Sequence, residues 1–170
     1  MELRGNTVSL RPLRHEDVPR LLEIGREPEV SRWWTSVTAD KLIAKAEGRD
    51  DAVPLAVVFE GEVVGMIQYH EHDDPEYRSA GIDIFLTAAV HGRGLGTDAV
   101  RTLARWLVRE RGHHRVTIDP AVENSGAVRA YEKAGFRPVG VMREYWTDPA
   151  GVRHDGLLMD ALARELDRST

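Results

Sequence analysis

Three glycines alternate with other residues in "VHGRGLGTDAV", as Gly92, Gly94 and Gly96, and a long helical pattern starts directly behind them. Such a turn gathers backbone N–H groups at the positive end of a helix dipole, which holds an anion and suits a pyrophosphate. Two familiar phosphate loops do not fit. The dinucleotide fingerprint needs its third glycine three positions after the second, and here Gly96 follows Gly94 by two. No Lys-Ser or Lys-Thr follows a glycine of this turn, which excludes the P-loop. What is left is a short nest from Gly92 to Thr97, with Arg93 adding charge; a plain tight turn with permissive glycines stays open at this point.

Two carboxylates carry the second chemical signal. Asp83 stands in "AGIDIFLT" between Ile82 and Ile84, and a carboxylate in an apolar strand is costly unless it is paired or functional. Burial raises a carboxyl group toward the range of a working base. Asp119 ends "RVTIDP", at the C-terminal end of the next strand, where ligands of α/β crossovers gather. The two acids are therefore expected to face one cleft from adjoining strands. Because Pro120 follows, Asp119 also reads as a turn acid.

The elements that must position these groups follow from periodicity. "VSLRPL" is a first strand and His15 to Arg26 an amphipathic helix. A loop with Trp33 and Trp34 leads to a short helix near Ala39 to Glu47. "PLAVVFEGEVVGMIQYH" is a hairpin around Glu60–Gly61–Glu62, and Ala80 to Thr87 is a buried strand. A helix runs from about Leu95 to Arg111, with Leu103 and Leu107 on its apolar seam and Arg101, Arg105 and Arg109 on its wet side. The strand Arg115 to Pro120 then completes a parallel βαβ unit. A helix from Ser125 ends at Gly135, and strands near Phe136–Met142 and His154–Leu162 close the chain. The expected fold is α/β (α+β): a mixed, mostly antiparallel sheet of six to seven strands, with a central parallel pair and flanking helices.

Length and composition bound the function. The chain has 170 residues, so one domain spanning 1–170 is expected, and it has no cysteine and a net charge of −5. "EHDDPE" concentrates acids, among them Asp73, either as a solvated loop or as a mouth for a cationic substrate. The acidic balance opposes nucleic-acid binding. The charged N-terminal stretch has no apolar signal core, and no segment approaches a membrane span, so a cytoplasmic protein without membrane contact is expected. His70 and His72 alternate beside Glu71 and Asp73, a loose pattern that gives no metal site.

Together, the glycine turn and "VENSGAVRAYEKAGF" resemble the Gcn5-related N-acetyltransferase (GNAT) superfamily. The likeness spans roughly Val8 to Leu162, and it implies acetyl-coenzyme A as co-substrate with no metal. It implies that the pyrophosphate lies on His91, Gly92, Arg93, Gly94, Leu95, Gly96 and Thr97. His91 stands where Arg or Gln is usual. The same resemblance sets Asn124 and Ala127 beside the pantetheine and Tyr131 beside the sulfur as the acid for the leaving thiolate. Asp83 becomes the base for the amine, and backbone near Phe85 and Leu86 binds the acetyl carbonyl. "RWWT", "GID", "GRGLGTDAV" and "IDP" narrow the resemblance to aminoglycoside 6′-N-acetyltransferases. That implies Trp33, Trp34 and Asp119 as substrate contacts, a small cationic amine as partner, and resistance as the role. Acetylation of a protein N-terminus or of a small amine metabolite stays open, as does homodimer formation. A non-catalytic acetyl-coenzyme A sensor would keep the nest but need neither Asp83 nor Tyr131.

Overall fold

The computed structural model describes residues 1–167, so the last three positions of the expected 1–170 domain lie outside it. Its strands are β1 (Leu3–Arg4), β2 (Ser9–Pro12), β3 (Val53–Phe59), β4 (Glu62–His72), β5 (Ser79–Leu86), β6 (Arg115–Ile118), β7 (Arg137–Thr147) and β8 (Arg153–Leu162). Its helices are α1 (Val18–Gly25), α2 (Pro28–Ser31), α3 (Ala39–Ala46), α4 (Leu95–Arg109), α5 (Ser125–Ala134) and α6 (Ala163–Leu166). The strands form one eight-stranded sheet in the order β1-β2-β3-β4-β5-β6-β8-β7. The mixed, mostly antiparallel sheet with one parallel pair, β5 with β6, is as the sequence leads one to expect. The strand beyond the expected seven is β1, only two residues long, which sequence patterning does not register.

Period-two alternation splits the core across the sheet. Leu55, Val57, Ile67 and Tyr69 join a cluster with Leu103 and Leu107 of α4, Tyr131 of α5 and Leu166 of α6. Their neighbours Ala56 and Met66 face the other way, onto Leu21, Ile24, Val30 and Leu42 of α1 to α3. Among the described residues no helix is long and apolar enough to cross a membrane.

One polar anchor was hidden in sequence. Asp98, in the first turn of α4, is only 7% exposed. Its carboxylate accepts hydrogen bonds from the N–H groups of Asn6, Thr7 and Val8 and from the Thr7 hydroxyl, at 2.8–3.0 Å. Burial works to raise this carboxyl, but the donors outweigh it and hold it below the usual carboxylate range. The β1–β2 turn is thereby tied to the helix that carries the glycine nest.

Candidate active site

The site begins where the sheet opens. Parallel pairing of β5 with β6 covers only Ala80↔Val116 and Gly81↔Thr117, while β5 runs on to Leu86. From Ile82 onward, one edge of β5 faces a gap. The Thr87 N–H bonds the Val64 carbonyl, so alternation turns the backbone polar groups of Leu86 and Ile84 toward that gap. Their carbonyls are already engaged. The Trp34 indole N–H donates to the Ile84 carbonyl at 3.2 Å, and His91 Nε2 lies 2.8 Å from the Leu86 carbonyl and must carry its hydrogen there. The edge is left rich in N–H donors, suited to carbonyl oxygens of a thioester and its amide-linked arm. Of the expected pair, the Leu86 N–H faces the gap, whereas that of Phe85 turns toward β4.

The gap opens into a cavity of about 1500 Å³. That exceeds an ordinary single-ligand site of roughly 300–1,000 Å³ and leaves room for two substrates. At one end lies the nest. Gly92 and Gly94 have φ of 74° and 80°, a left-handed conformation that a Cβ disfavours, while Gly96 has no such requirement. Gly94 caps α4, and Leu95, Gly96 and Thr97 supply its first N–H groups. The Thr97 hydroxyl donates to the Ala130 carbonyl, which joins α4 to α5 and leaves the Thr97 N–H to the cavity. Arg93, Arg101, Arg129 and Lys133 also line this end, so an anion finds both backbone donors and cations.

The other end is acidic. Asp83, inside the half of β5 that β6 leaves unpaired, and Asp119, just past the end of β6, both line the cavity. Gln68, paired with Asp83 across β4 and β5, donates to one Asp83 oxygen at 3.1 Å. Asp119 is held above the ordinary carboxylate range by burial and by the Asp83 charge, against the opposing pull of a hydrogen bond from Tyr145 and of His70. Tyr131, on α5, is 8% exposed, and its phenol is pushed well above the usual range by burial and then by Asp83 and Asp119. It stays protonated at neutral pH. A phenol so stabilised serves a developing thiolate better as a hydrogen-bond donor than as a source of a fully transferred proton.

The aromatic pair divides its work. Trp34 holds the β5 edge and meets Phe85 edge-on, with ring centroids 4.9 Å apart. Trp33 carries the Arg32 guanidinium 4.5 Å over its ring, and both tryptophans line the cavity. Their loop is fixed by Glu27, whose carboxylate accepts from the Thr87 hydroxyl and the Ala88 N–H. Asn124 caps α5 by accepting from the Ala127 N–H at 3.3 Å, and both residues line the cavity. Asp73 is not brought to the site. It lies exposed in the β4–β5 turn, and Asp83 is four residues beyond the start of β5 at Ser79, roughly 13 Å along the strand. Nearby Glu71 is consumed by Arg111 and His113 and held down at about 2, Arg111 having the larger effect against burial. His70 packs on Gly81, where a Cβ would approach its ring within 2.3 Å. Among the described residues no group of three His, Cys, Asp or Glu is placed to hold a metal.

Sequence reasoning missed Gln68, Tyr145 and Trp146. Tyr145 and Trp146 reach the cavity from β7, where the Tyr145 hydroxyl donates to Asp119. Trp146 stacks on His154 at 4.4 Å, and His154 bonds Asp148 at 2.8 Å. The length of "RPVGVMREYWT" as one strand was the available signal.

Residues 7–137 match the family model described as an acetyltransferase (GNAT) domain. An aminoglycoside N(6′)-acetyltransferase type 1 of Klebsiella pneumoniae is 29% identical over 158 residues, covering 81% of this chain and 78% of that protein. A kanamycin resistance protein of Rhizobium radiobacter is 40% identical over 75 residues, covering 44% of this chain and 68% of its own length. Among solved structures, AAC(6')-Ib with acetyl-coenzyme A superposes at a TM-score of 0.78 and 26% identity, covering 96% of this chain and 98% of that one. The same enzyme with coenzyme A and kanamycin matches at a TM-score of 0.78 and 26% identity, covering 96% of this chain and 99% of that one.

Proposed function

The chain belongs to the GNAT family of acetyl-coenzyme A-dependent N-acetyltransferases, and on that premise we propose that it acetylates a primary amine of a polycationic acceptor, the 6′-amine of an aminoglycoside. The observation that carries this reading is the polarity of the large cavity. An anion-binding nest with four cationic side chains occupies one end, and two carboxylates from adjoining strands occupy the other. An acceptor with several ammonium groups matches the second end, and tryptophan faces suit its sugar rings and charges.

In this reading the coenzyme's pyrophosphate lies on the N–H groups of Gly92 to Thr97, and its thioester carbonyl accepts from the β5 edge. The acceptor ammonium passes its proton to Asp83, directly or through water, and the amine nitrogen attacks the carbonyl carbon. A C–N bond forms and the C–S bond breaks; Tyr131 donates a hydrogen bond to the departing sulfur, and the second proton that the nitrogen sheds on becoming an amide passes through water to that thiolate. Asp119 holds a further ammonium. The protein acts as one acetyltransferase domain in the cytoplasm, where resistance requires the drug to be modified.

The test is release of free thiol from acetyl-coenzyme A against kanamycin, tobramycin, spermidine, lysine analogues and peptides with free N-termini. Turnover on the aminoglycosides is expected, falling by about 10²–10⁴ in Asp83→Asn while acetyl-coenzyme A still binds. Turnover confined to peptides or small amines would sink the aminoglycoside assignment. Silence across the panel with a tightly bound cofactor would favour a sensor.

A further inference from the structure

Three unusual local features converge on one side chain. Strand β7 loses register with β8 between Met142 and Trp146, and inside that irregularity Glu144 adopts a φ of 49°. That is left-handed backbone, which a residue with a Cβ seldom accepts. The conformation is held from outside: Asp155 Oδ1 accepts the Glu144 N–H at 2.8 Å, and Arg153 lies 3.6 Å from its carboxylate. The kink delivers Tyr145. Its ring lies across Gly156 of β8, where a Cβ would come within 2.7 Å of it, although Gly156 has no left-handed φ of its own. The ring, with Met142 Cε behind it at 3.3 Å, leaves no room for a side chain there. β8 also holds the segment behind Asp119, through Leu157 N–H to the Pro120 carbonyl at 2.8 Å and Val122 N–H to the Asp155 carbonyl at 3.0 Å. β8 thus braces both the β7 segment that bears Tyr145 and the segment that follows Asp119. Tyr145 nevertheless remains 49% exposed, so its ring is held at the cavity wall and not in a core.

We propose that Tyr145 is a positioning and specificity residue whose hydroxyl fixes the Asp119 carboxylate as the receptor for a second ammonium, so that it governs acceptors with two amines and not those with one. By donating to one oxygen, the hydroxyl fixes the direction in which the carboxylate presents its remaining lone pairs. Tyr145 itself is pushed up to about 12, first by that bond to Asp119 and then by burial, so it remains a donor at every working pH. Its donation opposes the burial and the Asp83 charge, both of which push the Asp119 carboxyl up. The charged and titratable groups bearing on Asp119 are Asp83 from β5, His70 from β4, Tyr131 from α5 and Tyr145 from β7. Only the last is removed in the test.

The proposal rests on the acetyl-transfer reading, so the experiment pairs a diamine acceptor with a monoamine of matched skeleton. In Tyr145→Phe, KM for the diamine is expected to rise about tenfold with kcat nearly unchanged, while both constants for the monoamine hold. The acid limb of kcat/KM for the diamine should move to higher pH, because Asp119 loses the bond that favours its charged form. Gly156→Ala, which displaces the ring, should reproduce the same selective loss. Equal losses on both acceptors, or an unmoved acid limb, would overturn the assignment. If the wild type turns over neither acceptor, the acetyl-transfer reading fails on its own. Calorimetric binding of the diamine to the coenzyme A complex of each variant then decides the role of Tyr145, with unchanged affinity in Tyr145→Phe counting against it.

Discussion

The two ends of the cavity differ in how much chain each must bring together. The nest end is nearly contiguous: Gly92 to Thr97 turn one loop into the first turn of α4, and α5 adds a wall within about 40 residues. The acidic end draws on β4, β5, β6, β7 and α5, and its hydrogen bonds join residues 15 and 26 positions apart. Backbone donors need only a turn, so an anion site can be written in a short motif. Orienting carboxylates for an amine needs partners fixed from several directions, and that is a property of the whole sheet.

The apparent self-sufficiency of the nest is the first part of this contrast to test, and it carries the largest expected effect. Asp98 lies beneath the nest and is bonded to Asn6, Thr7 and Val8, some 90 positions away. Asp98→Asn replaces an ionised acceptor of four hydrogen bonds with an amide that presents N–H groups to donors. A loss of about 3 kcal/mol in urea unfolding is expected. The pH dependence has a definite sign. The folded carboxyl lies below its ordinary value, so its contribution is present in full above the unfolded pKa, roughly 3.9, and disappears as pH falls through the folded one. Wild type should therefore lose this advantage over Asp98→Asn in acid. A gap between the two proteins that does not narrow in acid would show that Asp98 acts by packing alone.

This contrast also explains what could be read in advance. The parallel pair, the long helix and the nest were legible because periodicity and glycine spacing are local. Asp83 was legible because an acid among Ile82, Ile84 and Leu86 breaks a pattern. Asp98 was not, since a single acid in the first turn of a helix looks like ordinary dipole compensation. Tyr145 was hidden by a kink at Glu144, a residue type that gives no sign of left-handed backbone. Asp73 misled because charge density is visible in sequence, whereas distance along a strand from the reacting centre is not.

Tyr131 belongs to both ends, since it stands on α5 beside the nest and feels both carboxylates. Tyr131→Phe keeps the buried ring and removes the hydroxyl. A fall of about 30-fold in kcat is expected, with KM for either substrate little changed, as suits a bond made to sulfur only as it departs. A thioester with a more acidic thiol should recover part of the loss. If it recovers none, the hydroxyl has no part in meeting the leaving group.

The smallest effect discriminates most finely within the nest. Gly94 has a φ of 80° and open space around its would-be Cβ, so Gly94→Ala introduces backbone strain without a clash. Strain of about 1 kcal/mol is expected, and the loop can relieve it by turning N–H groups away from the anion. KM for acetyl-coenzyme A should then rise about fivefold, while kcat and KM for the amine hold. Gly96 is the internal control. Its φ is ordinary and an added Cβ would meet only Leu86 Cδ1, at 3.6 Å, an unstrained contact. Gly96→Ala should therefore leave the cofactor constants near wild type. If instead Gly96→Ala weakens acetyl-coenzyme A and Gly94→Ala does not, the anion approaches α4 too closely for a Cβ at its second residue. The site would then read phosphate by proximity and not by the left-handed turn.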